Sequence, residues 1–124
     1  MSRTNQILIV DDNPHMCSLL ADTLEFFDYK GIVAKDGEEA LHKLSEDCFD
    51  MVITDLRMPR MGGMDLLRTI KDQFPELPVV VITGFGTEVS KDDALSAHAD
   101  DFLSKPFKVD EIQELLKKHL GYKE

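Results

Sequence analysis

The chain has 124 residues, of which 43% are hydrophobic and 31% charged, a composition typical of one folded globular domain rather than a disordered segment. Its formal net charge of −10 argues against direct binding to nucleic acid or to an anionic membrane, because both need clustered Lys and Arg. The sequence has no apolar run of the roughly 20 residues that a membrane helix needs and no N-terminal signal peptide, so we expect a cytoplasmic protein.

The first half of the chain alternates between strand-like and helix-like segments. A strand is predicted over 6–10 and a helix over 13–27, with Asn13 as its N-cap and Pro14 at its first position. A strand over 29–34, a helix over 36–44 capped by Asp36, and a buried strand over 50–55 follow. The core-facing stripe predicted for the first helix consists of Met16, Leu19, Leu20, Leu24 and Phe27.

The second half continues the alternation. A third helix is predicted around 66–74, a continuous apolar strand over 78–83, a turn at 84–86 and a fourth helix that starts near Thr87. A short strand over 101–103 precedes a fifth helix, which is expected to stop at Gly121. The inward positions predicted for that helix are Ile112, Leu115, Leu116 and Leu120.

Five successive strand–helix units with continuous apolar strands predict a parallel sheet covered on both faces. Five units are too few for the eight-unit barrel. We therefore expect an α/β fold of the flavodoxin-like (βα)5 type, a three-layer sandwich whose five-stranded parallel sheet has the order 2-1-3-4-5.

Polar residues follow four of the predicted strands. Asp11 and Asp12 follow the first, Asp55 ends the third, Thr83 ends the fourth, and Lys105 lies just beyond the fifth. Parallel strands end at one edge of the sheet, so these side chains should meet there. Three carboxylates in one cleft need a cation, and their hard oxygens suit Mg²⁺, Mn²⁺ or Ca²⁺ rather than soft metals. A few carboxylates with several retained waters is the usual Mg²⁺ pattern, so we expect Mg²⁺, with Mn²⁺ as a substitute. The alternative, that the Asp pair merely caps the loop before the first helix, leaves the other three residues unexplained.

At these residues the sequence resembles a response-regulator receiver domain of two-component signalling, of the chemotaxis-receiver-like superfamily. The matching motifs are DD after the first strand, ITDLRMPRMGG, VVVITG and FLSKPF, and together they span essentially the whole chain. The resemblance implies a single receiver domain over 1–124 with no output domain in this chain. It also implies a signalling protein that is not a turnover enzyme.

The resemblance assigns roles at the metal and phosphoryl site. Asp55 would be the phosphoacceptor for a phosphoryl group from a histidine kinase or histidine phosphotransfer protein. Asp12 and Asp55 would bind Mg²⁺ directly together with the backbone carbonyl of Arg57, and Asp11 would act through a bound water. Lys105 would contact the phosphoryl oxygens, as would the hydroxyl of Thr83.

The resemblance also implies a switch. The hydroxyl of Thr83 would move toward the phosphoryl group, and Phe102 would turn inward behind it, although a core Phe without that role is the alternative. A cis peptide between Lys105 and Pro106 would aim the lysine into the site. The expected output surface comprises the fourth helix, the fifth strand and the fifth helix. It would serve a downstream protein, a fused output domain if the chain is a fragment, or a phosphorylation-dependent dimer.

Some positions depart from the family pattern or carry no motif. Arg57 and Phe85 lie two positions after Asp55 and Thr83 and are expected to limit water access and so set the phosphate lifetime. His98 stands where relatives often have Gly, so we expect the end of the fourth helix to differ there. The four histidines are expected to be surface residues, and the two cysteines, Cys17 and Cys48, to be reduced and structural.

Three rival functions are weighed against the receiver. A haloacid-dehalogenase-type phosphatase needs a second Asp two residues after its nucleophile, and Arg57 stands there. A flavodoxin-like flavin carrier needs a phosphate-cradling loop after the first strand, and the acidic DDNP would repel phosphate. A degenerate receiver that acts only as a phosphorylation-independent interaction module would not need the complete set of site residues.

Overall fold

The computed structural model describes residues 5–55, 63–83, 99–105 and 107–121. Within these ranges lie five strands, β1 (Gln6–Val10), β2 (Lys30–Ala34), β3 (Met51–Asp55), β4 (Val79–Thr83) and β5 (Asp101–Ser104). The same ranges contain four helices, α1 (Pro14–Phe26), α2 (Gly37–Glu46), α3 (Gly63–Gln73) and α4 (Val109–Leu120). Helix α4 is the fifth helix of the sequence prediction. The predicted turn at 84–86 and the predicted fourth helix lie outside the described residues.

The five strands form one parallel sheet in the order β2-β1-β3-β4-β5, which confirms the predicted topology. The register aligns the carboxyl ends of the strands. Val10 at the end of β1 lies opposite Ala34 of β2 and opposite Thr54 of β3. The loops that follow β1 and β3 therefore begin side by side, where ligands bind in open α/β sheets.

The sheet separates two apolar cores. Alternate strand residues point to opposite faces, so Ile7 and Ile9 join the core beneath α1 and α4, whereas Leu8 and Val10 join the core beneath α2 and α3. Because both faces are covered, the central positions of β1, β3 and β4 are apolar on both sides of the sheet. This is the physical reason that the strands read as continuous apolar runs.

The helix ends follow the predicted capping residues. The Asn13 side chain accepts a hydrogen bond from the His15 N–H at 2.9 Å, and the Asp36 side chain accepts one from the Glu39 N–H at 2.8 Å. Gly121 ends α4 in the left-handed conformation, with φ 67°. Within the described ranges, no helix combines the length and the apolar character of a membrane span.

The predicted stripe of α1 is wrong at Leu19. That side chain is 50% exposed, whereas Cys17 is buried and belongs to the core. The helical period of 3.6 residues places Leu19 beyond the edge of the face that Leu20 and Leu24 bury. Leu19 is apolar and close to the right spacing, but it points toward solvent.

The prediction that the histidines lie on the surface fails at His119. Its ring packs between α4 and β5 with only 13% of the side chain exposed, and its Nε2 lies 3.0 Å from Asp101 Oδ2. Lys118 Nζ donates to the same oxygen at 3.0 Å. We call Asp101, Lys118 and His119 the Asp101 cluster. His15 and His42 are exposed as predicted, and His98 lies outside the described residues.

The two cysteines differ in their surroundings. Both are free thiols, but only Cys17 is buried. Cys48 is exposed, so the expectation that it would be a structural residue is wrong. Its position after the end of α2 leaves its side chain at the surface.

Candidate functional site

Three aspartates meet where β1 and β3 end. Asp11 directly follows β1, Asp55 is the last residue of β3, and the pairing of Val10 with Thr54 places them side by side. One carboxylate oxygen from each of Asp11, Asp12 and Asp55 can be chosen so that all three lie within 4.8 Å of one another. We call these three residues the acidic cluster.

Asp11 is the buried member of the acidic cluster, with 1% of the residue exposed. Its Oδ1 accepts a hydrogen bond from the Asn13 N–H at 2.9 Å, and its own N–H donates to the Ala34 carbonyl at 3.1 Å. Within the described part of the chain, its Oδ2 is buried without a hydrogen-bond partner. A buried carboxylate oxygen without a donor is costly, and such an atom needs an explanation.

The surroundings of Asp11 disfavour its negative charge. Burial raises the pKa of this carboxyl, and the Asn13 N–H works in the opposite direction. The neighbouring charges of Asp55 and Asp12 raise the pKa further, whereas Lys105 lowers it, and the net result lies above the ordinary value. The cluster therefore holds more negative charge than its protein surroundings stabilise.

Lys105 approaches the acidic cluster from the β5 edge of the sheet. It follows β5, whose Ser104 lies opposite Thr83 of β4. Its Nζ lies 3.9 Å from Asp55 Oδ2, with 30% of the lysine side chain and 14% of the aspartate side chain exposed. Within the described part of the chain, the Lys105 ammonium is thus paired with one of the three carboxylates of the acidic cluster.

The acidic cluster fits a hard divalent cation. Its donor atoms are carboxylate oxygens, which suit Mg²⁺ and Mn²⁺, and these metals commonly bind with one or two carboxylates and several waters. The buried Oδ2 of Asp11 supplies an independent sign, because its lone pairs find no donor in the described protein. A cation, or a water bound to it, would satisfy that atom.

The sequence prediction missed a contact behind the cluster. The Cys17 thiol donates to the backbone carbonyl of Asp11 over 3.3 Å. Burial raises the pKa of the Cys17 thiol, as do the charges of Asp11 and Asp12, so the sulfur keeps its proton. The available signal was that Cys17 lies one turn after the Asn13 N-cap, since helical side chains point back toward the N-terminus.

Four of the predicted site residues lie wholly or partly outside the described residues. Arg57, Phe85 and Pro106 lie outside the described residues, and so does the side chain of Thr83, whose backbone ends β4. Phe102 on β5 is partly buried and packs against the core beneath α2 and α3. The structure thus brings together Asp11, Asp12, Asp55 and Lys105 of the predicted set.

The chain was compared with known protein families and proteins. The chain matches the family model of the response regulator receiver domain over residues 7–117. The transcriptional regulatory protein ZraR of Salmonella typhimurium (strain LT2) is 37% identical over 116 residues, covering 94% of this chain and 26% of that protein. The chain therefore spans about a quarter of the length of this curated relative.

Two solved structures extend the comparison. A response regulator receiver domain protein from Clostridium thermocellum superposes with a TM-score of 0.87 at 30% identity and covers 94% of both chains. The receiver domain of sensor histidine kinase PA1611 from Pseudomonas aeruginosa PAO1 has a TM-score of 0.85 at 28% identity, covering 94% of this chain and 97% of that chain. That structure was solved with a magnesium ion coordinated in the active site cleft.

Proposed function

Because the chain belongs to the response regulator receiver domain family, we propose that it is a phosphoacceptor switch of two-component signalling. Asp55 takes a phosphoryl group from a phosphohistidine of a partner kinase or histidine phosphotransfer protein. The observation that carries this proposal is the convergence of the acidic cluster with the Lys105 ammonium beside Asp55.

The transfer needs a nucleophile and compensation of charge. A carboxylate oxygen of Asp55 attacks the phosphorus, the phosphorus–nitrogen bond breaks, and the histidine nitrogen keeps the electron pair and takes up a proton. Phosphoryl transfer depends mainly on positioning and on neutralising the phosphoryl oxygens. Lys105, which already lies 3.9 Å from Asp55, supplies one positive charge, and the hydroxyl of Thr83 supplies a hydrogen bond.

The metal site is part of the same proposal. Asp12 and Asp55 would hold Mg²⁺ together with the backbone carbonyl of Arg57, and Asp11 would act through a bound water. When bound, the cation supplies the positive charge that the three carboxylates and the incoming phosphoryl group require. The unpartnered Oδ2 of Asp11 supports this arrangement, because the protein residues described leave it without a donor.

The signal leaves the site through the surface around β5. Thr83 moves toward the phosphoryl group and Phe102 follows it inward, which changes the surface formed by the predicted fourth helix, β5 and α4. Phe102 is partly exposed in the present structure and packs against the core beneath α2 and α3. The changed surface binds a downstream protein, a fused output domain, or a second copy of the chain in a phosphorylation-dependent dimer. We place this signalling in the cytoplasm.

Intact mass spectrometry tests the proposal. The full chain is incubated with Mg²⁺ and a small-molecule phosphodonor, beside an Asp55→Asn variant and a sample that contains a chelator. We expect one added phosphoryl group on the wild type, none on the variant and none with the chelator. A wild type that binds Mg²⁺ but gains no phosphoryl group from either the small donor or a panel of histidine kinases would favour the phosphorylation-independent interaction module instead.

A further inference from the structure

Cys17 lies directly behind the loop that carries the acidic cluster. Bonds from Cα to Cβ in a helix tilt toward its N-terminus, so a side chain in the first turns of α1 points back toward that loop. The Cys17 sulfur is buried and lies 3.3 Å from the Asp11 carbonyl oxygen in a donor geometry. The thiol therefore bonds the backbone of the cluster as well as filling core space.

The Asp11 carbonyl matters because it belongs to the peptide group that joins Asp11 to Asp12. A peptide group is planar, so the direction of the carbonyl fixes the plane from which Asp12 starts. The Asp11 N–H is held by the Ala34 carbonyl at 3.1 Å, and its Oδ1 by the Asn13 N–H at 2.9 Å. With the thiol on its carbonyl, Asp11 is fixed at both ends of its backbone and at one carboxylate oxygen.

We infer that Cys17 is a positioning residue for the acidic cluster, whose thiol holds the Asp11–Asp12 peptide so that both carboxylates face a divalent cation. The inference rests on the proposed function, because it concerns the affinity of the same cluster for Mg²⁺. Cys17 offers no ligand atom of its own, since its sulfur faces a backbone carbonyl and sulfur is a soft ligand that Mg²⁺ does not favour.

The competing explanation is that Cys17 only fills the core beneath α1 and α4, to which it belongs. The two roles respond to different properties of the side chain. Core filling depends on volume and polarity, whereas positioning depends on a hydrogen-bond donor. Cys17→Ser keeps a donor but buries a hydroxyl, and Cys17→Val keeps an apolar side chain of similar size but removes the donor. If Cys17 positions the loop, Cys17→Ser should keep the Mg²⁺ affinity while Cys17→Val loses it. If Cys17 only fills the core, the unfolding free energy should change without a matching change in Mg²⁺ affinity.

The experiment measures Mg²⁺ binding to the full chain by isothermal titration calorimetry, with urea unfolding of each variant in parallel. We expect Cys17→Val and Cys17→Ala to weaken Mg²⁺ binding about tenfold, the low end of the range for groups that orient metal ligands. Cys17→Ser should restore binding to near the wild-type affinity even where its unfolding free energy is lower. The matched controls are Cys48→Ser and Cys48→Ala at the exposed cysteine, which should bind Mg²⁺ as the wild type does.

A second readout needs no metal. In the metal-free protein, amide hydrogen exchange at Asp11 and Asn13, whose N–H groups are hydrogen-bonded, should be faster in Cys17→Val than in the wild type and slow again in Cys17→Ser. Exchange in the centre of β1 should be equal in all three proteins after correction for global stability. This comparison separates a local loosening of the loop from a general loss of stability.

Two results would overturn the inference while leaving the proposed function intact. One is unchanged Mg²⁺ affinity in folded Cys17→Val and Cys17→Ala, which would reduce Cys17 to core filling. The other is equal loss of affinity in Cys17→Ser and Cys17→Val, which would show that the donor is irrelevant. A wild-type chain that binds no Mg²⁺ would overturn the proposed function and the inference together.

Discussion

The acidic cluster and the Asp101 cluster distribute charge in opposite ways. Within the described residues, Lys105 is the cation paired with the acidic cluster, and the pKa of Asp11 is raised. In the Asp101 cluster one carboxylate accepts hydrogen bonds from two cationic or ionisable side chains at 3.0 Å each. Burial raises the pKa of Asp101, but the hydrogen bonds from His119, Lys118 and the Phe102 N–H outweigh it, so the net pKa is lowered.

We interpret the difference as one between carboxylates that await a cation, as proposed for the acidic cluster, and a carboxylate that stabilises the fold. The protein surroundings of Asp101 stabilise its carboxylate and so connect β5 to α4. The described surroundings of Asp11 do not fully stabilise its negative charge. We expect a bound cation to supply the remaining positive charge. Active sites commonly sacrifice stability in this way. Each of the following changes tests this distinction at one of the two clusters.

Mg²⁺ should stabilise the folded chain strongly. At a Mg²⁺ concentration about a hundred times its Kd, binding to the native state alone raises the unfolding free energy by about 2.7 kcal/mol. Urea unfolding with and without Mg²⁺, at matched ionic strength, measures this gain. The Asp55→Asn variant should gain much less, and an equal gain in both proteins would place the cation elsewhere.

Asp101→Asn should lower the unfolding free energy by about 2 kcal/mol, because hydrogen bonds to charged groups contribute roughly 1.5–3 kcal/mol. The contact between His119 and the Asp101 carboxylate is largely shielded from solvent. Urea unfolding at neutral pH measures the loss. The matched control is Asp22→Asn at an exposed position of α1, which should stay within about 0.5 kcal/mol of the wild type. Equal effects of the two substitutions would refute the structural role of the Asp101 cluster.

The contribution of Asp101 should disappear in acid. Its pKa is lower in the folded chain than in the unfolded one, so its stabilisation is present above the unfolded value and is lost as the pH falls through the folded value. The difference in unfolding free energy between wild type and Asp101→Asn should therefore shrink as the pH falls below about 4. A difference that stays unchanged down to pH 3 would contradict the assigned cause.

In the metal-free protein, Asp11→Asn should change the unfolding free energy in the opposite direction from Asp101→Asn. Removing a buried charge that faces Asp12 and Asp55 should raise the unfolding free energy by about 1 kcal/mol, a common gain when an active-site charge is removed. The measurement is urea unfolding with a chelator present. In excess Mg²⁺ the order should reverse, because the wild type alone keeps its full set of carboxylates. A destabilised variant in chelator would mean that Asp11 is already well compensated.

The exposed pair of His42 and Glu46 on α2 is expected to contribute the least to stability of the ion pairs compared here. The two side chains are 2.6 Å apart but both are largely exposed, and such pairs are worth less than about 0.5 kcal/mol. His42→Gln should therefore leave the urea midpoint nearly unchanged. A loss as large as that of Asp101→Asn would show that exposure does not separate the strong ion pairs of this fold from the weak ones.

The topology and the position of the site were predictable because they follow from local patterns. Continuous apolar strands could be buried only between two helical layers, and parallel strands had to deliver Asp11, Asp55 and Lys105 to one edge. The distance of 3.9 Å between Lys105 and Asp55 is a consequence of that geometry rather than of any local motif.

The sequence misjudged residues whose surroundings depend on the three-dimensional arrangement rather than on local spacing. His119 is buried because Asp101 lies 18 positions away on the neighbouring strand, and no periodicity in α4 indicates that pairing. The contact between Cys17 and the Asp11 carbonyl depends on side-chain direction, which spacing alone does not give. Leu19 shows the same limit, because an apolar residue at the margin of a helical stripe can face either side.

Locating the phosphoryl group tests the central claim most directly. Borohydride reduction converts an aspartyl phosphate to homoserine, which peptide mass mapping can assign to one position. After incubation with Mg²⁺ and a phosphodonor, we predict homoserine at Asp55 and at no other aspartate, and none when a chelator is present. Homoserine at Asp11 or Asp12 instead, or at Asp55 regardless of chelator, would contradict the role proposed for the acidic cluster.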